Sequence, residues 1–124
     1  MNTTLNCTTE TTMSVTAFLI DPFKRHVHEV KLNSHARGQR ALRAVYHLLD
    51  CQRIEMLRPL NAGTDALYVD EMGRFREEPA AFFCRLWPGG PIVGRALWIG
   101  TSSDGSTASP QMTLRYVRDH IVWL

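Results

Sequence analysis

The sequence predicts one small α/β (α+β) domain, a mixed sheet of about five strands covered by a long helix and a C-terminal helix. Three observations lead there: short β-branched or aromatic runs bounded by turn residues, one stretch of helical periodicity over 33–49, and no linker or internal repeat in 124 residues. A chain this long buries roughly two-thirds of its unfolded surface, so a single core can hold it. Its 44% apolar and 21% charged residues are ordinary for a globular domain, so no fibrous or membrane class is called for.

The first twelve to fourteen residues are polar, rich in Thr and Asn, and expected to form a disordered tail (1–14) ahead of a domain over 15–124. Met13 precedes a sharp switch to apolar residues and is a candidate start of translation. Val15-Thr16-Ala17-Phe18-Leu19-Ile20 reads as a strand ended by Asp21-Pro22. His26-Val27-His28-Glu29-Val30-Lys31-Leu32 alternates imperfectly, and the short 21–25 connection makes the two an antiparallel pair. Asn33 or Ser34 can cap the long helix, whose apolar face holds Ala41, Leu42, Val45, Leu48 and Leu49. Arg37, Arg40, Arg43 and His47 occupy the opposite face.

Strands are expected over 53–57 and 66–70, the second turning at Glu71-Met72-Gly73. Glu77-Glu78-Pro79 carries the marks of a helix start: acids at the positive end of the dipole and Pro in the first turn. That helix should run through Ala80, Phe82, Phe83 and Leu86 and stop at Trp87-Pro88-Gly89-Gly90-Pro91. The nearly continuous apolar run over 92–100 predicts a strand buried on both faces. A Ser/Thr/Gly loop follows, then Ser109-Pro110 as the start of a C-terminal helix carrying Met112, Tyr116, Val117, His120, Ile121 and Leu124.

The net charge of +2 is too small to imply nucleic acid by itself, but twelve of the fourteen basic residues are Arg. Arg suits flat, bidentate contacts with carboxylate or phosphate, although base composition of the coding sequence produces the same skew. Three Cys at wide spacing (Cys7, Cys51, Cys84) form no CxxC, so neither a zinc knuckle nor a disulfide framework is expected. Free thiols, no leader-like segment and no apolar run of about 18 residues together predict a cytoplasmic protein that does not cross a membrane. The Asn-Xaa-Thr matches at Asn2 and Asn6 carry no meaning without secretion.

Taken in order, Phe18-Leu19-Ile20-Asp21-Pro22, the helix over 42–49, Arg53-Ile54-Glu55, Tyr68-Val69-Asp70-Glu71-Met72-Gly73 and Ile92-Val93-Gly94-Arg95-Ala96-Leu97-Trp98-Ile99-Gly100 form a series of motifs. The series resembles the phage- and plasmid-borne family known as domain of unknown function 3846. The resemblance covers about two-thirds of the chain, and order and spacing carry it rather than any single motif. Two positions depart: Asp50-Cys51-Gln52-Arg53 stands where the family usually has a Gly pair before Ile-Glu, and Asp70 where it usually has Asn. The resemblance implies a small accessory protein of a mobile element and carries no catalytic assignment.

Several side-chain groups invite chemistry, each beside an ordinary reading. His26 and His28 share one strand face and could meet a metal with His35 or His47, yet zinc needs three or four convergent ligands, so no metal is expected. Asp70-Glu71 with Glu77-Glu78 could split carboxylate pKa values, but acidic turns and helix starts also serve capping. The Gly-rich segment from Trp87 to Gly94 has no Lys-Ser or Lys-Thr after its glycines and so is no phosphate loop. Thr101, Ser102, Ser103 and Ser106 lie between a strand and an expected helix start, where free N–H groups could bind an anion, against the repulsion of Asp104. Ser-His-Asp and Cys-His combinations are present as residue types only, with no nucleophile elbow.

The sequence therefore points to a non-enzymatic binding or regulatory module of a phage, prophage or plasmid, one that could inhibit a host defence protein by direct contact. A nucleic-acid-binding factor using Arg37, Arg40, Arg43 and His47 is the alternative. No cofactor is expected, and the expected partner is a host or mobile-element protein.

Overall fold

The computed structural model describes residues 14–33 and 39–124, with the side chains of Ser14, Asn33 and residues 39–42 outside that description. The tail, the helix cap, Arg37, and the side chains of Arg40 and Leu42 thus lie outside the described residues. The strands are β1 (Ser14–Asp21), β2 (His26–Asn33), β3 (Ile54–Leu57), β4 (Ala66–Asp70), β5 (Ala81–Cys84), β6 (Ile92–Val93), β7 (Ala96–Thr101), β8 (Thr107–Ala108) and β9 (Ile121–Trp123). Two α-helices, α1 (Gln39–Leu49) and α2 (Leu114–Asp119), and one 3-10 turn (Gly73–Phe75) complete the described elements.

Two hairpins flank a central strand. The main sheet runs β2-β1-β7-β4-β3, with β8 folding back onto β7, and a second sheet runs β6-β5-β9. Every described pairing is antiparallel, which corrects the expected mixed sheet: the chain reverses through short turns and needs no parallel crossover. β1 and β2 pair along their full lengths, Ser14 opposite Asn33 and Asp21 opposite His26. The central place of β7 follows from its composition, since Ala96, Leu97, Trp98 and Ile99 are all fully buried.

The pleat of the main sheet sends alternate residues into two cores. On one face Val15, Ala17, Leu19, Leu32, Leu97 and Ile99 meet Val45 and Leu49 of α1. On the other, Phe18, Ile20, Val27, Leu67, Val69 and Trp98 meet Phe82, Cys84 and Ile92 of the small sheet and Val117 of α2. The helical phase matches the expectation: Val45 and Leu49 point in, while Arg43 and His47, one turn apart, are exposed. Val45→Ala should cost about 2 kcal/mol in urea unfolding, the transfer of two methyl groups plus a small cavity.

Three expected elements differ. The helix expected over 79–86 is strand β5, in which Phe82 and Cys84 are buried and Phe83 faces out. Its pairing with β9 (Phe82 opposite Trp123) and with β6 (Phe82 opposite Ile92) decides the conformation. The C-terminal helix begins at Leu114 rather than Pro110, is capped by the Thr113 side chain, and gives way to β9. The delay has a visible cause: the Asp65 carboxylate accepts the backbone N–H groups of Gln111 and Met112 at 2.8 and 3.0 Å. The single strand expected over 92–100 is split, because Gly94 takes φ +97° and turns the chain from one sheet to the other.

Candidate functional site

Sheet topology gathers the sequence's turn motifs at one end of the molecule. Ile20 of β1 and Val69 of β4 both lie opposite Ala96 of β7, so the next residues outward place Arg95 between Asp21 and Asp70. Arg95 Nε lies 3.4 Å from Asp21 Oδ2 and its Nη1 lies 3.8 Å from Asp50 Oδ2. Arg76 Nε lies 3.1 Å from Asp70 Oδ2, its Nη1 is 3.7 Å from Asp50 Oδ2, and its Nη2 donates to the Asp50 carbonyl. The result is a relay, Asp21–Arg95–Asp50–Arg76–Asp70, that ties three turns to the end of α1.

The buried acids in this relay have backbone duties as well. Asp21 Oδ1 accepts from the N–H groups of Phe23 and Lys24, and Asp70 Oδ1 from that of Met72, the pattern by which Asp holds a turn. A buried carboxylate must be paired and hydrogen-bonded to be tolerated, and both are. Of the other acids expected near Asp70, Glu71, Glu77 and Glu78 are exposed. This end of the sheet is therefore arranged as scaffold, with its carboxylates committed.

Beside the relay, Tyr46, His47, Leu48, Asp50, Cys51 and Arg95 line an open hollow of about 540 Å³. Cys51 and His47 share it, which brings a thiol and an imidazole to one hollow. Burial pushes the Cys51 thiol up, and the Asp70 carboxylate pushes it further in the same direction. A thiol held protonated at neutral pH is a poor nucleophile. Site-resolved alkylation of the native protein at neutral pH should accordingly find Cys51 slower than a free thiol. Cys84, raised by burial and fully enclosed, should react only on unfolding.

On the opposite side of the sheet lies a cleft of about 350 Å³, where the edge of the main sheet parts from the small sheet. Leu57, Val69 and Ile92 form its apolar floor, Trp87 and Pro91 one wall, and Glu55, Glu71 and Arg74 its charged rim. Arg74 sits over the Phe75 ring, 5.0 Å from its centroid. Phe75 and Met72, in the turn beside the cleft, are 65% and 45% exposed, and Met56 on the edge strand is 45% exposed. Gly73 permits this arrangement by bringing its backbone against the Val93 carbonyl.

The sequence-predicted groups are distributed as follows. Arg43 and His47 project together from α1, whereas Arg37 and the side chain of Arg40 lie outside the described residues. Thr101 donates to the Thr64 carbonyl, and the Ser102 and Ser106 hydroxyls both donate to Asp104 Oδ1. Ser103 is exposed. The loop that carries them joins β7 to β8 as a hairpin instead of leading into a helix, which corrects the expected helix start beside it. Sequence reasoning missed the interface cleft and Asp65, whose isolated carboxylate carries no local pattern.

Among the described residues, no group of three or more His, Cys, Asp or Glu converges as a metal cage, and no helix is long and apolar enough to cross a membrane. Comparison with curated proteins and with solved structures gives no match. The family model of the domain of unknown function DUF3846 matches residues 13–121, from the start of β1 into β9, and the chain belongs to that family.

Proposed function

We propose that this chain is a non-enzymatic accessory protein of a phage, prophage or plasmid that inhibits a host defence protein by direct contact. The cleft between β3–β4 and β6 is its contact surface. The observation that carries this reading is the composition of that surface: Trp87 and Arg74 line it over an apolar floor, and the turn next to it exposes Met72 and Phe75. Aromatic residues, Met and Arg are the types enriched where proteins bind one another, and a few of them carry most of the affinity. The mobile-element setting rests on the family resemblance, which is support by association.

Affinity capture from host lysate, with and without nuclease, tests the reading. A nuclease-resistant partner should be retained by the wild-type chain and weakened at least tenfold by Arg74→Ser with Phe75→Ser. These exposed positions should each change stability by no more than about 0.5 kcal/mol. The alternative, nucleic acid held along α1, is favoured by the joint exposure of Arg43 and His47. Under it, retention would disappear with nuclease, and three phosphate contacts from Arg37, Arg40 and Arg43 would give a log–log salt slope of about −2 to −3. Replacing those three with Gln would then abolish binding while the cleft variant bound normally.

A further inference from the structure

The β1–β2 hairpin carries a second feature that the cleft does not use. His26 and His28 stand two residues apart on β2, so both project from the same face of the sheet. Their rings lie 4.7 Å apart between centroids at 44°, and the two Nδ1 atoms are 3.1 Å apart. One of these nitrogens must therefore carry a proton and the other must be free to accept it. Two zinc–nitrogen bonds of about 2.0–2.1 Å place their nitrogens about 3.3 Å apart at a tetrahedral angle and about 2.9 Å apart at a right angle. The observed separation falls between those two values.

We infer that His26 and His28 form a two-point chelate for one divalent transition metal of the class that imidazole favours, zinc, copper or nickel. The metal takes the place of the shared proton, which moves to Nε2 of the same ring, so both imidazoles stay neutral, and water completes the coordination. Little has to move: the torsion that turns a His ring is broad, so a small rotation directs both lone pairs to a common point. The backbone is already fixed, because His26 and His28 lie opposite Asp21 and Leu19 in the longest strand pair of the protein. His26 is exposed and His28 half-buried, which leaves the metal accessible from solvent.

The surrounding groups neither block nor complete the site. The Asp21 carboxylate opposite His26 is committed to Phe23, Lys24 and Arg95. Arg25 donates to the Leu124 carbonyl, away from the pair. The chelate is thus an open site, with positions left for water or an external ligand rather than the closed set of a structural zinc.

Titration of the full chain with Zn²⁺, followed by calorimetry at neutral pH, tests the inference. One saturable site is expected. His26→Gln or His28→Gln should each weaken it by about 10²-fold, since removing either ring forfeits the effective concentration that joins the two. His47→Gln, an exposed His on α1, should leave it unchanged, and equal thermal midpoints would show all variants folded. No saturable site in the wild-type chain would overturn the inference. So would binding that survives in the double His26→Gln, His28→Gln variant, or binding that His47→Gln weakens equally.

Discussion

Asp65→Ala should destabilise the protein by about 4 kcal/mol in urea unfolding, because it removes a buried carboxylate that satisfies three donors. Asp65 is 1% exposed. Its Oδ2 accepts from the Trp98 indole N–H at 2.8 Å and from Met112 N, while Oδ1 accepts from Gln111 N. Removing the carboxylate strands the indole donor of a fully buried tryptophan at the centre of β7, where water cannot replace it. The two backbone donors, nearer the surface, recover part of their loss from solvent, which keeps the sum below three full penalties. Trp98→Phe removes only the indole partner, so a double-mutant cycle should return a coupling above about 1 kcal/mol. A loss under 1 kcal/mol for Asp65→Ala would show that this carboxylate is not the anchor of the segment before α2.

Gly73→Ala should cost about 3 kcal/mol and weaken partner binding at the same time. A β-carbon at this position would stand 2.0 Å from the Val93 carbonyl oxygen and 2.8 Å from its carbon. Both atoms are backbone, so no side chain can swing aside, and either the 3-10 turn or β6 must shift. Val93 lines the cleft, and the shift would change the shape of the proposed contact surface. Urea unfolding measures the first effect and capture of the partner by a folded fraction the second. Wild-type stability would mean that the turn and β6 are not in contact in solution.

Local patterns made the β1–β2 hairpin and α1 legible in the sequence. The β1–β2 pair is long, its connection short, and β1 is dominated by β-branched and apolar residues. The Val45/Leu49 face of α1 repeats at helical spacing. The failures share one physical cause, the dominance of distant partners over local propensity. Glu77-Glu78-Pro79 is a sound helix start, and Phe82, Phe83 and Leu86 suit a helix as well as a strand. Four residues are too few to display a period, and β9, some forty residues later, decides the matter. Pro110 likewise announces a helix that Asp65 postpones by holding two of its first amides.

The candidate site was harder to read for the same reason. Asp21, Asp70 and Arg95 belong to three motifs in sequence and to one row in the sheet, and only the strand order brings them together. The possible acid–base reading of Asp70-Glu71 with Glu77-Glu78 gives way, for Asp70, to a scaffold role once Arg76 and the Met72 amide are placed. The cleft could not be foreseen, since Ile92 and Val93, which line it, read as part of one strand over 92–100, and β5, their partner in the small sheet, read as helix. The segment over 87–91, read as a helix stop and set aside as a phosphate loop, supplies one of its walls. The His26–His28 face, by contrast, was visible from alternation alone; the nitrogen separation needed the structure.

The account stands or falls on where a protein partner touches the chain. Hydrogen exchange of the 124-residue chain, alone and with a captured partner, reads this directly. The account predicts new protection in β3 and across 87–93, on both lips of the cleft, with α1 unchanged. Protection confined to α1, with β3 and 87–93 exchanging as in the free protein, would contradict it.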